Sequence, residues 1–151
     1  MQTIKLLIIS SNQGVRNSLA KIFNERPGFV VIDQTFTSAD ASCLRIMQPD
    51  VVLYGWSDEN VRPAIDNIKK VCPCTLVIVI SDLQGIDLIL STFSAGADGF
   101  LKTSMLPADI VSAIELMCKG SICFFPRSVR EVLTNIRYYN VKKLRSRWDK
   151  N

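Results

Sequence analysis

Apolar runs and helical stripes alternate through the first 120 residues of the chain. Ile4 to Ile9 is an apolar run broken only by Lys5, as expected of a strand covered on both faces. Ser11 or Asn12 can cap a following helix whose Val15, Leu19, Ile22 and Phe23 share one side. Pro27-Gly28 stops that helix, and Phe29 to Ile32 forms a second strand. Ser38 caps a second helix carrying Ala41, Leu44 and Met47. Pro49-Asp50 then leads into a third strand, Val51 to Tyr54, closed by Gly55. Asn60, Pro63, Ile65 and Ile68 mark a third helix, and Thr75 to Ile80 is the most β-branched run in the chain. Ile86, Ile89, Leu90 and Phe93 outline a fourth helix ending at Gly96, and Asp98 to Leu101 a short fifth strand. Pro107 suits the first turn of a fifth helix with Ile110, Ala113, Ile114 and Met117 on one side and Gly120 as its stop.

Five strand-then-helix units with short connections predict an α/β domain: a doubly wound parallel sheet over residues 1–120 with helices on both faces. Ligand chemistry in such sheets gathers at the carboxyl ends of the strands. Here those ends are Ser10-Ser11, Gly55-Trp56, Ser81-Asp82 and Lys102-Thr103. Residues 121–151 leave the alternation. Ser121 to Phe125 is a short apolar connection, and Val129, Leu133, Ile136 and Leu144 suggest a basic helical extension.

Charge sharpens that division. The chain of 151 residues carries a net +4. Residues 127–151 alone hold eight Lys or Arg against two acids, leaving a body near neutrality. The tail reads as a solvated helix face, as a linker into an output domain, or as a nucleic-acid contact through Arg137, Lys142, Lys143, Arg145 and Arg147. A linker or partner-binding helix is the expectation, because the turn glycine of a helix-turn-helix is missing.

The chain has no run long and apolar enough to span a membrane, and MQTIKLLIIS reads as a buried strand rather than a signal peptide. A cytoplasmic location is expected. Histidine is absent from the sequence, which removes Ser-His-Asp and Cys-His catalysis, HExxH zinc sites and histidine phosphotransfer from this chain. Of five cysteines, only Cys72-Pro73-Cys74 forms a close pair, and two ligands make a weak metal site. Cys43, Cys118 and Cys123 read as buried positions rather than nucleophiles. No cofactor, metal or enzymatic activity is expected.

"SAGADGFLKTSMLPADIVSAIELMCKG" resembles the fifth strand and helix of the receiver domain of bacterial two-component response regulators. The subgroup is the one with a LuxR/NarL-type helix-turn-helix output. "QPDVVLYGWS" resembles that domain's third strand, "LLIISSNQGVRNSLAKIF" its first strand and helix, and "GSICFFPRSVREVL" the segment leading to the output domain. The resemblance covers about residues 4 to 120. It implies the flavodoxin-like strand order 2-1-3-4-5 and a phosphorylation site at the rim.

In that family two acids after the first strand and an aspartate ending the third bind Mg²⁺. That aspartate accepts the phosphoryl group, which a Ser/Thr and a lysine contact. Laid on this sequence, the acidic pair falls on Ser10 and Ser11 and the phosphoacceptor on Gly55. The hydroxyl residue falls on Ser81, the lysine on Thr103, and the aromatic switch residue on Phe100. Only Ser81 and Phe100 match. Lys102 sits one residue early, which in a regular strand turns its side chain to the other face. Glycine offers no nucleophile and serines offer Mg²⁺ no anionic oxygen.

The expectation is therefore an atypical receiver acting in signalling or transcription without phosphorylation. It would work through a homodimer, a protein partner or a DNA-binding output domain, with direct DNA contact by the tail as a further reading. The rival is a small-molecule module at the rim, where Trp56 would fill the vacated pocket or stack on a flat ligand. The favoured reading of Trp56 is a cover over the apolar strand ends. Asp58 and Asp82 read as solvated loop carboxylates.

Overall fold

The computed structural model describes residues 3–35, 41–55, 61–82 and 86–120. The predicted Ser38 cap, the helix marker Asn60, Trp56, Asp58 and the whole of 121–151 lie outside the described residues. The elements are β1 (Ile4–Ser10), α1 (Gln13–Asn24), β2 (Phe29–Thr35), α2 (Ala41–Met47), β3 (Val51–Gly55), α3 (Val61–Val71), β4 (Leu76–Ile80), α4 (Ile86–Ala95), β5 (Gly99–Leu101) and α5 (Pro107–Gly120). The strands form one parallel sheet in the order β2-β1-β3-β4-β5, as the resemblance implies.

The strict alternation of side chains along each strand divides the core in two. Leu7, Ile9, Val52, Tyr54, Val77, Val79 and Phe100 face Leu44, Ile65, Ile68 and Ile89 from α2, α3 and α4. Leu6, Ile8, Val51, Leu53, Ile78, Ile80 and Leu101 face Leu19, Phe23, Ile110 and Ile114 from α1 and α5. Phe23 and Phe29 close the second layer edge to face, ring centres 5.0 Å apart. Each fully buried aliphatic side chain contributes on the order of 1.5–3 kcal/mol, so the three central strands anchor the fold.

Local chemistry sets the boundaries. Asn12, rather than Ser11, caps α1: its Oδ1 accepts from the Val15 N–H at 3.1 Å. Pro107 opens α5 as predicted. β2 runs three residues beyond its predicted end at Ile32, with the register shifting between Leu6 and Leu7 so that Leu7 pairs with Asp33. The backbone ladder thus continues past the apolar run, through a bulge on an edge strand. Thr75, predicted to begin the fourth strand, is buried just before it, where its Oγ1 donates to the Pro49 carbonyl at 2.6 Å. Among the described residues, no helix is long and apolar enough to cross a membrane.

One polar clasp ties the helical layer to the short fifth strand. Lys69 Nζ on α3 meets Asp98 Oδ2 at 2.6 Å and also donates to the Thr75 carbonyl at 2.8 Å. The same Asp98 oxygen accepts the Val77 N–H at 2.9 Å. Gly96, at φ +113°, turns the chain into Asp98, and a β-carbon there would press on Lys69 Cγ at 3.3 Å. By contrast, Lys70 and Asp66 form an exposed i,i+4 pair at 3.0 Å. Asp98→Ala takes the acceptor from the Val77 N–H and leaves Lys69 with the Thr75 carbonyl alone, and should cost about 2 kcal/mol in urea unfolding. Asp66→Ala should cost less than about 0.5 kcal/mol in the same assay.

Candidate functional site

Parallel pairing brings the strand ends to one rim. Ser10 stands opposite Gly55, Gly55 opposite Ile80, and Ile80 opposite Leu101. Ser81 then donates its N–H to the Leu101 carbonyl at 3.0 Å, which seats it beside the end of β5. Ser10, Gly55, Ser81 and the Lys102-Thr103 turn therefore line up along the edge, in the order the parallel topology requires.

The centre of this rim is filled. Ser10 is 3% exposed, and a β-carbon built on Gly55 would lie 2.7 Å from Ser10 Oγ and 2.8 Å from Ser10 Cβ. Real β-carbons essentially never approach so closely. Any residue other than glycine at 55 must displace the Ser10 side chain or the backbone beneath it. Ser10 Oγ is itself held, accepting the Asn12 N–H at 3.2 Å. Ser11, the other position aligned with the acidic pair, is exposed.

A cation that the sequence reading did not single out also reaches the rim. Arg16 Nη1, from the first turns of α1, makes a short hydrogen bond to the Ser10 carbonyl. A positive charge near a helix N-terminus opposes the macrodipole, and no acid occupies the first turn of α1. That local conflict is the one signal in the sequence that could have pointed to Arg16.

On the far side, Thr103 Oγ1 donates to Asp82 Oδ1. Asp82 is exposed, as expected of a solvated carboxylate, and it also takes this hydrogen bond. β5 ends at Leu101, and Lys102 begins a turn closed by the Met105 N–H on its carbonyl at 3.1 Å. Strand alternation therefore stops before Lys102, and the half-buried side chain is not confined to the face opposite Thr103. Phe100 is 1% exposed and packs in the layer under α3 and α4. Ser81 is equally buried.

These donors do not fit Mg²⁺. A hard dication needs anionic oxygens to repay its dehydration. The aligned positions offer one occupied hydroxyl, one exposed hydroxyl and a glycine, with a guanidinium already against the Ser10 carbonyl. Among the described residues, no group of three or more His, Cys, Asp or Glu side chains is arranged to hold a metal.

The cysteines depart from their expected burial. Cys43 and Cys118 are exposed, not buried, and Cys123 lies outside the described residues. Cys43 sits off the apolar stripe of its helix. Cys118 follows the buried Met117 in the last described turn of α5. Cys72 is half-buried, with its thiol directed to the Leu44 carbonyl at 3.6 Å, while Cys74 is exposed.

No family model matches the sequence. A curated relative, the transcriptional regulatory protein LiaR of Bacillus subtilis (strain 168), is 25% identical over 139 residues. The match takes in 89% of this chain and 65% of LiaR, so the chain spans just under two thirds of that relative. Among solved structures, a LuxR-family two-component response regulator from Aurantimonas sp. SI85-9A1 superposes with a TM-score of 0.74 at 23% identity. That likeness covers 91% of this chain and 99% of the other. A LuxR-family DNA-binding response regulator from Silicibacter pomeroyi gives a TM-score of 0.68 at 25% identity, over 83% of this chain and 98% of the other. The resemblance to receiver domains of the LuxR/NarL type is borne out by these neighbours.

The Ser10–Gly55 contact makes a quantitative demand. Gly55→Ala should destabilise the domain by about 1–3 kcal/mol through overpacking. Adding Ser10→Gly, which removes the opposing side chain, should recover about 1 kcal/mol or more beyond additivity in a double-mutant cycle. Additive losses in urea melts would show that the two positions do not share one space.

Proposed function

We propose that this chain is an atypical receiver of the LuxR/NarL response-regulator type, acting in signal transduction and transcription control through protein–protein contact and without aspartyl phosphorylation. The observation that carries the reading is the 2.7 Å approach between Ser10 Oγ and any β-carbon at position 55. A phosphoacceptor needs a carboxylate free to project from that point, and Ser10 fills the space it would leave by. The neutral donors and Arg16 remove the metal from the same place. The likeness to LuxR-family regulators supports the signalling role, and the similarity to LiaR, a transcriptional regulatory protein, supports its direction.

Regulation by contact needs a surface. α5 and the turn before it leave Leu116 and Leu106 open, 51% and 67% exposed. These suit self-association through α1 and α5, or through the α4–β5–α5 face, by burial of apolar area. Arg137, Lys142, Lys143, Arg145 and Arg147 lie outside the described residues. In this reading they serve as the link to an output domain or partner. Ser10, Ser11, Gly55, Ser81 and Thr103 form the degenerate phosphorylation pocket, with Ser81 and Phe100 kept in one arrangement. The small-molecule alternative loses ground because Ser10 occupies the centre of the rim it would use.

Incubation with acetyl phosphate and Mg²⁺ should leave both the intact mass and the size-exclusion profile unchanged. Gly55→Asp should behave the same way, because the new carboxylate meets Ser10 and finds no acidic pair. A stable adduct of one phosphoryl group on the parent chain overturns the proposal.

A further inference from the structure

The end of the sheet opposite the rim gathers three of the five cysteines. A groove of about 800 Å³ opens at the amino-terminal ends of β1, β3 and β4, and Cys72, Cys74 and Cys118 all line it. They reach it from two separate elements. Cys72 and Cys74 belong to the turn between α3 and β4, closed by the Thr75 N–H on the Cys72 carbonyl at 3.1 Å. Cys118 comes from the last described turn of α5.

Asp50 stands next to both. Its carbonyl accepts the Leu76 N–H at 3.0 Å, and the preceding Pro49 carbonyl accepts from Thr75 Oγ1 at 2.6 Å. These bonds fix the Cys74 turn against the start of β3. The Asp50 carboxylate is itself held, with Oδ2 accepting the Lys5 N–H at 2.8 Å. It also reaches Cys118: partial burial first, then the Asp50 and Glu115 charges, raise that thiol above its ordinary value.

The three thiols are not equivalent. Cys72 is half-buried and directed to the Leu44 carbonyl at 3.6 Å. Cys74 and Cys118 are exposed, so a small oxidant reaches both through the groove they share. A thiol that keeps its proton reacts slowly with peroxide, which suits Cys118 to a second step rather than the first.

We propose that Cys74 and Cys118 form a peroxide-sensitive thiol pair across this groove, a modification site that stands whether or not the rim takes a phosphoryl group. The Cys74 thiolate attacks peroxide, forming an S–O bond as the O–O bond breaks, and leaves a sulfenic acid and hydroxide, which takes up a proton. Cys118 then attacks the Cys74 sulfur, and the displaced hydroxyl departs with the Cys118 proton as water. Two thiols and one peroxide become one disulfide and two waters. The bond holds its two α-carbons about 4.4–6.8 Å apart, so it fastens the end of α5 to the α3–β4 turn.

Hydrogen peroxide, added in equimolar amount to dilute, reduced full-length protein, should lower the intact mass by two hydrogens, and dithiothreitol should restore it. Peptide mapping should find Cys118 joined within one chain to the Cys72–Cys74 peptide. Cys74→Ser should abolish that link and Cys72→Ser should leave it in place. In Cys118→Ser the sulfenic acid on Cys74 should persist, so dimedone labels Cys74 several-fold more than in the parent chain. All three substitutions leave the buried residues of both core layers unchanged. A link between Cys72 and Cys74, a link to Cys43 or Cys123 in its place, or no link within one chain would overturn the proposal. So would an equal yield of the Cys74–Cys118 link from urea-unfolded protein, because the pairing would then owe nothing to the groove.

Discussion

β1 and β3 are neighbours in the middle of the sheet, and they end side by side with Ser10 facing Gly55. Their register is held along its length: Leu6 to Ser10 match Val51 to Gly55 one for one, and every residue of both segments is buried. A shift of one position would turn two core faces inside out. The contact at the rim is therefore not adjustable. With the register fixed, a hydroxymethyl on one strand end and a bare α-carbon on the other are complementary solutions to one volume. Ser10 can point inward only because position 55 has no side chain, and Gly55 has no room for one because Ser10 does.

The surrounding polar groups have settled around that contact. Asn12 gives its N–H to Ser10 Oγ, Arg16 gives its guanidinium to the Ser10 carbonyl, and Thr103 engages Asp82 across the ends of β4 and β5. No buried polar side-chain atom among the described residues lacks a partner. In a phosphorylation site the unliganded rim would hold several carboxylates whose mutual repulsion a cation relieves. Here hydroxyls and one guanidinium need no such ion. Under the proposed reading, the acidic pair and the space for a phosphoacceptor are missing together.

Much of this was readable from the sequence because a doubly covered parallel sheet writes a simple code. Continuous apolar runs such as Leu76–Ile80 and helix stripes such as Ile110, Ala113, Ile114 and Met117 can be buried in few other ways. The four strand ends, and the degeneracy of positions 10, 11, 55 and 103, followed from that order and the family likeness. The Ser10–Gly55 collision did not, because it depends on register between segments 45 residues apart. Arg16 was hidden because a basic residue early in a helix reads as mildly unfavourable surface. Cys43 and Cys118 were misjudged by residue type. Thiols are often buried, but one sits off its helix's stripe and the other follows the last buried residue of α5. β2 outran its apolar stretch because ladder hydrogen bonds do not require apolar side chains.

A receiver that switches must keep two arrangements within a few kcal/mol of each other, so that a ligand preferring one can move the population. Under the reading proposed for this rim, that balance is gone. A phosphoryl group would have nowhere to bind, and Ser81 and Phe100 would keep the buried positions they hold here. A domain fixed in this way still offers surfaces, and its partners then respond to concentration and to one another instead of to a modification. The Lys69–Asp98 clasp serves the same end, holding the approach to β5 to α3 and the start of β4 through one carboxylate. In that reading, function moves from the chemistry at the carboxyl ends of the strands to surfaces such as α5 and the turn before it, where Leu116 and Leu106 are open.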